Sequence, residues 1–186
     1  MKKKSLRGEI FLYFIIVFIL FSVAILGFQY EREKKYRTAQ LENTLDNITE
    51  ITWRFIEQNQ LPGNNQFERI REIENIIPQP DTRITIIAKD GNVLYDSFVS
   101  DYRNMENHLV RPEIQKALQH SKGSNIRTSA TTNVDYYYYA KQFPGYFIRT
   151  AVVYNVAIKN FLQAEKNYIV FIIMVFTGIG VVLYMV

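Results

Sequence analysis

Two stretches of the chain carry no charge, and they lie at its two ends. Ile10 to Phe28 reads IFLYFIIVFILFSVAILGF, and Tyr168 to Val186 reads YIVFIIMVFTGIGVVLYMV. Each is about 19 residues, or about 28 Å as a helix, which matches a hydrocarbon core of about 30 Å. Both are apolar all round, unlike a helix that packs one face on a globular core. A cleaved signal peptide is the rival reading of the first run. Signal peptides carry a shorter apolar region followed by small residues, whereas Phe28 and Tyr30 crowd the corresponding site here. We therefore expect an uncleaved anchor.

Between the two runs the period of the pattern alternates. Leu41, Leu45, Ile48, Thr52 and Phe55 follow a 4-3-4-3 helical spacing, widened by Ile51 and Ile56, and Leu61-Pro62-Gly63-Asn64 ends that helix. Such a seam suits either a dimer or a helix packed on its own domain. We expect both, the membrane-proximal part dimeric and the distal part on a sheet. A second helix is expected from Asn65, with Glu68 completing a capping box, Phe67, Ile70, Ile73, Ile76 and Ile77 as its stripe, and Pro78 and Pro80 as its stop.

The period then becomes two. Ile84 and Ile86 alternate before Asp90-Gly91, and Val93 and Tyr95 alternate after it, predicting a hairpin with a two-residue type I′ turn. A polar loop follows, Phe98–Val110. Pro112 suits the first position of a helix reaching about His120, with Glu113 in its first turn and Gly123 as its cap. Three more strands are predicted: NIRTSATT up to Asn133, VDYYYYAKQF up to Pro144-Gly145, and YFIRTAVVY up to Asn155. Asn155 is placed to cap a last helix, Val156–Lys166. Five strands and their helices in this order predict an α+β domain with one antiparallel sheet.

Charge fixes an expected orientation. Lys2, Lys3, Lys4 and Arg7 precede the first span and hold the N-terminus in the cytoplasm. Lys34, Lys35 and Arg37 weigh less, because they begin a segment long enough to translocate regardless of charge. The expected layout is a cytoplasmic N-terminus at 1–9, a transmembrane helix at 10–28, an extracytoplasmic domain at 29–166 and a second transmembrane helix at 167–186. The net charge of +4 does not suggest nucleic-acid binding, since basic residues outside the topology signal alternate with acids, as in EREKKYR and FERIREIE. The chain has no cysteine, which excludes a disulfide scaffold and cysteine-based zinc sites.

The stretches RITIIAKDGNVLYDS, MENHLVRPEIQKAL and GSNIRTSATTNVDYYYYAKQF, in that order, resemble the extracytoplasmic PAS-like sensor domains of membrane sensor histidine kinases. The phosphate-regulon and cell-envelope types are the nearest. The resemblance covers about residues 80–155. It implies a PAS-like five-stranded antiparallel sheet flanked by helices, between two transmembrane helices, in a bacterial inner-membrane protein. It further implies a parallel homodimer, a small-molecule or protein signal, and a response regulator reached through a cytoplasmic part. ATP and magnesium would belong to that part alone, and no cofactor or metal is expected in this chain. The sequence stops inside its second apolar run, so we expect the sensing and membrane portion of a longer protein. A chemoreceptor or cyclic-nucleotide enzyme would share the same outer half, and a stand-alone membrane interaction protein is the third reading.

The stretch NHLVRPE is spelled somewhat like the phospho-accepting box of a histidine kinase. Topology places His108 outside, where no ATP reaches it, so His108 is expected not to be phosphorylated. His108 and His120 are the only histidines, too few for a typical zinc site. Titration near neutrality leaves a pH-sensing role open to His108. The reading we favour is that His108 and Arg111 pin the loop to the sheet, with Pro112 starting the helix. In the run Tyr136-Tyr137-Tyr138-Tyr139, Tyr136 and Tyr138 share one face of a strand and Tyr137 and Tyr139 the other. Tyr136 and Tyr138 are candidates to wall a ligand pocket, with Arg127 and Arg149 as candidates to hold an anion; ordinary strand packing is the competing role for all four. No triad, P-loop or paired catalytic carboxylates occur.

Overall fold

The computed structural model describes residues 6–61, 66–74, 77, 81–129, 133–154, 170–171, 173–175 and 177–180. It divides into two compact units, Met1–Thr38 with Asn160–Val186, and Ala39–Lys159. The expected helix-stop residues 62–65, including the Asn65 cap, lie outside the described residues. So do Pro78, Pro80, Asn155 and the helix Val156–Lys166.

Helix α1 spans Leu6–Gln58. In the first unit its apolar side chains are bare, with Tyr13, Val17, Leu20, Phe21 and Phe28 all exposed. This is the one helix among the described residues long and apolar enough to cross a membrane, with a mean hydropathy of 2.5 over its most apolar window. Each described residue of the second apolar run is helical. The other residues of that run lie outside the described residues.

In the second unit five strands form one antiparallel sheet. They are β1 (Arg83–Ala88), β2 (Val93–Asp96), β3 (Lys122–Thr128), β4 (Asp135–Gln142) and β5 (Tyr146–Val153), in the order β2-β1-β5-β4-β3. The architecture is the α+β one expected, a five-stranded antiparallel sheet flanked by helices, consistent with a PAS-like fold. Cross-strand register divides the side chains. Ile84 pairs with Thr150 and Ile86 with Ile148, while Arg83 pairs with Ala151 and Thr85 with Arg149. Adjacent pairs point to opposite faces.

The first face receives α1. Leu41, Leu45, Ile48, Thr52 and Ile56 are buried, and Thr150 Oγ1 lies 3.5 Å from the Leu45 carbonyl oxygen. The helical seam from Leu41 onward therefore packs within its own domain. Ile51 points away, 41% exposed, and does not widen that seam. Short α2 (Arg71–Glu74) follows a 3-10 turn over Phe67–Ile70, burying Phe67, Ile70 and Ile73. The expected single helix is thus split and shorter, and its cap residue is Gln66, which makes no side-chain capping bond.

The second face receives α3 (Pro112–His120), with Pro112 in the first turn as expected. Ile87, Ile114, Ala117, Ala140 and Phe147 form the core there. Two turns differ from expectation. The β1–β2 connection has a positive φ at Gly91 alone, +90°, and its bonds run from Gly91 N to Ala88 O and from Ala88 N to Asn92 O. That is a three-residue loop with a glycine bulge rather than a type I′ turn, which needs positive φ at Asp90 as well. Helix α3 is capped by Ser121, φ 65°, and β3 starts directly afterwards at Lys122. Gly123 lies inside that strand, where a Cβ would sit 2.5 Å from the Glu113 carbonyl oxygen. It is there for close approach of helix and strand, not as a cap.

Candidate functional site

The alternation on β4 sorts the four tyrosines as the spacing predicts. The hydroxyl of Tyr139 donates to Asp46 at 2.8 Å and that of Tyr137 to Glu42 at 3.1 Å, both acceptors on α1. Burial pushes the Tyr137 phenol up to about 12, and burial with the Asp46 carboxylate pushes Tyr139 up further. Both remain neutral donors at physiological pH. Lys141 completes this rim, 2.8 Å from both Asp46 and Glu50.

Tyr136 and Tyr138 face the other way and pack on Ala151. On that face the strands present arginines from three positions: Arg83 on β1, Arg127 on β3 and Arg149 on β5. Two of these guanidiniums stack on one ring, with Arg127 4.1 Å and Arg149 4.9 Å from the Tyr138 centroid. Such stacking is favourable, and more so away from water. Tyr136 lies beside Tyr138, ring centroids 5.8 Å apart.

The carboxylates that answer these cations come from two elements. Asp96, at the end of β2, is fully engaged. It accepts from Arg83 Nε at 2.9 Å, from Thr85 Oγ1 at 2.9 Å, and from the backbone N–H groups of Phe98 and Val99. Glu113, in the first turn of α3, is completely buried and shares one oxygen, Oε1, between Arg127 at 3.2 Å and Arg149 at 3.4 Å. Arg149 also donates to Thr85 Oγ1 at 3.1 Å. The two partners respond differently. At Glu113 burial pushes the carboxyl up, but the Arg149 charge and the Arg127 hydrogen bond outweigh it and hold the carboxyl low. At Arg149 burial wins and the guanidinium is held below its ordinary value. One carboxylate is divided between a buried cation, Arg149, and a half-buried one, Arg127.

The loop before α3 closes the site. The His108 backbone N–H donates to Gly91 O at 2.8 Å, and its ring Nδ1 lies 2.6 Å from Glu106 O. Asn107 ties the same loop to the hairpin through Asp90 O at 2.7 Å. Arg111 meets Glu106 at 3.4 Å. The His108 backbone thus ties the loop to the hairpin turn, while the Arg111–Glu106 pair closes the loop on itself. His108 is 6% exposed. Burial, and then the charges of Arg149, Arg111 and Arg127, lower its pKa to about 4.

These parts surround a cavity of about 140 Å³, lined by residues that include Arg83, Arg111, Arg127, Arg149, His108 and Tyr138. Of the residues expected from sequence, Arg127, Arg149 and Tyr138 lie on its wall together with the loop residues His108 and Arg111. Tyr136 is one layer back, and Pro112 serves the helix. Sequence reasoning missed Arg83, Met105, Glu106 and Ser129 on the wall, and Glu113 and Asp96 behind it. The signal for Arg83 was available: alternation with Ile84 and Ile86 puts it on the face opposite α1. Among the described residues no group of His, Asp and Glu has the arrangement of a metal site.

The sequence from residue 35 to residue 144 matches the family model of the single Cache-like domain. The chain belongs to the single Cache-like family. Single Cache-like domains are extracellular sensor domains of signalling proteins, kinases and chemoreceptors among them. The match begins inside α1, takes in the loop carrying His108 and Arg111, and ends just before β5. Such domains are typical of membrane sensors, and α1 is long and apolar enough to cross a bilayer. No curated protein matches the chain.

Proposed function

We propose that this chain is the sensing and transmembrane-signalling portion of a two-component sensor histidine kinase. In this reading the cavity beneath the His108 loop is the stimulus site, and Arg127, Arg149 and Tyr138 hold a small anionic ligand, with Tyr136 supporting Tyr138. The observation that carries it is the charge balance. Four guanidiniums line one cavity, while the two buried carboxylates behind it are already shared among three of them, and Glu106 is exposed. A ligand supplying negative charge completes that balance.

The kinase class rests on the order of the three sequence stretches described above. The protein acts in the bacterial inner membrane as a parallel homodimer, with its N-terminus cytoplasmic and its sensor domain outside. A cytoplasmic kinase part, carrying ATP and magnesium, passes the signal to a response regulator. Binding shifts the sensor only to the extent that the ligand prefers one arrangement of the membrane helices over another. Helix α1, Leu6–Gln58, is one of the elements that carries the shift.

The test uses the complete gene product in membranes. ATP-dependent phosphorylation of a cytoplasmic histidine is expected, and it should change with Arg127→Gln. One residue inserted after Lys35 turns the following helix by about 100° and should change signalling output without loss of insertion. A gene product without a kinase part would overturn the kinase reading, and unchanged output with the insertion would overturn transmission through α1.

A further inference from the structure

The cavity holds a second unusual group besides its arginines, the buried imidazole of His108. We infer that the site takes up a compact oxyanion together with a proton, the anion held by Arg111, Arg127 and Arg149 and the proton by His108. This inference rests on the reading of the cavity as the stimulus site.

The geometry defines where the proton goes. A carbonyl oxygen can only accept, so the 2.6 Å contact to Glu106 O fixes the hydrogen on Nδ1 of His108. Nε2 is then the ring position that titrates. The ring is held in place by its bond to Glu106 O and by its burial, and the loop around it is tied to Gly91 through the His108 backbone. What faces it is mostly positive. Arg149 comes from β5, Arg127 from β3, Arg111 from the foot of α3 and Arg83 from β1. On the negative side, Glu113 of α3 is committed to Arg127 and Arg149, and Asp96 of β2 to Arg83. Glu106 of the same loop reaches Arg111, Asp90 of the hairpin turn is occupied with Asn92, and Tyr138 of β4 lies under two guanidiniums.

Burial, and then these cations, keep the ring neutral, with its pKa near 4. An oxyanion among the arginines cancels part of that field and favours the imidazolium, whose Nε2–H adds one more donor to the wall. Linkage makes the coupling mutual: the anion raises proton affinity, and acid raises anion affinity by the same factor. Each unit by which the anion raises the histidine midpoint corresponds to about tenfold in anion affinity between the alkaline and acidic limits.

Two histidines make the experiment direct. The chain is reconstituted in nanodiscs and its histidine resonances are followed from pH 8 to 4, with His120→Gln used to assign them. Titrations run in chloride, in sulfate and in acetate at equal ionic strength, with sulfate and acetate separating tetrahedral from planar oxyanions. The His108 midpoint should rise by about a unit or more in at least one of the two. Affinity for that ion should increase several-fold from pH 7.5 to 4, and His108→Asn should keep binding at pH 7.5 but lose this increase. A midpoint unmoved by both ions, or binding without proton uptake, overturns the inference. Phosphorylation assays on the complete protein read the kinase proposal separately, so either can fail without the other.

Discussion

The two faces of the sheet are built from alternate residues of the same strands, yet they are finished in opposite ways. On the face under α1, an apolar core is closed at its rim by neutral phenols donating to helix carboxylates, Tyr137 to Glu42 and Tyr139 to Asp46. Every charge there is near water. On the face under α3, the strands bury Arg83 and Arg149 and keep a cavity between them. Burying charge is costly, and a buried ion pair is no more stable than a well-packed apolar one. A domain that needed only to fold would repeat the first face on both sides. The second face thus gives up stability in the way binding sites often do, which fits the anion site proposed above.

That contrast can be broken most sharply at Asp96. Asp96→Ala strands Arg83 in the interior and should cost about 3–5 kcal/mol, read by urea unfolding of the reconstituted chain. A cost comparable with a surface substitution would mean the arginine face is not buried as described. Gly123→Ala should follow at about 1–3 kcal/mol, because the added Cβ meets Lys116 Cβ at 2.4 Å and the Glu113 carbonyl at 2.5 Å. It pushes α3 off β3 and should loosen the cavity while leaving the α1 face intact. On the other face, Tyr139→Phe removes one phenol–carboxylate bond and should cost about 1 kcal/mol, with no effect on the cavity.

A further predicted effect is a slope with pH. The pKa of His108 is depressed in the folded protein, so the unfolded chain binds more protons between about 6.5 and 4. Stability from this group is complete above about 6.5 and declines as pH falls toward 4. Glu113, held low by Arg149 and Arg127, adds loss in the same direction at more acidic pH. His108→Asn should flatten the first part of the slope.

Local features of this domain were legible in the sequence, and non-local ones were not. The start of α3 at Pro112 and the sorting of the four tyrosines follow from local rules, proline geometry and strand alternation. Arg127, Tyr138 and Arg149 were legible as joint site candidates on the consecutive strands β3, β4 and β5, but nothing local shows that β1 pairs with β5 beside them. Arg83 was missed for the same reason. Glu113 looked like an ordinary first-turn acid, and only the packing of α3 on β3 makes it the counter-charge of two arginines. The seam on α1 suited a dimer and the sheet alike, and only the sheet shows which of its residues, Leu41, Leu45 and Ile48 among them, the domain buries. Gly123 was misread because a glycine just after a helix resembles a cap, while its real constraint is a backbone from another element.

The central claim is that the arginine face binds an anion and the tyrosine face does not. It is tested most directly by the unfolding midpoint of the reconstituted chain with and without sulfate, at constant ionic strength and pH 5.5. Sulfate should raise the midpoint of the parent chain and of Tyr139→Phe alike, and leave that of Arg127→Gln unmoved. An equal rise in Arg127→Gln, or no rise in the parent chain, would contradict the account.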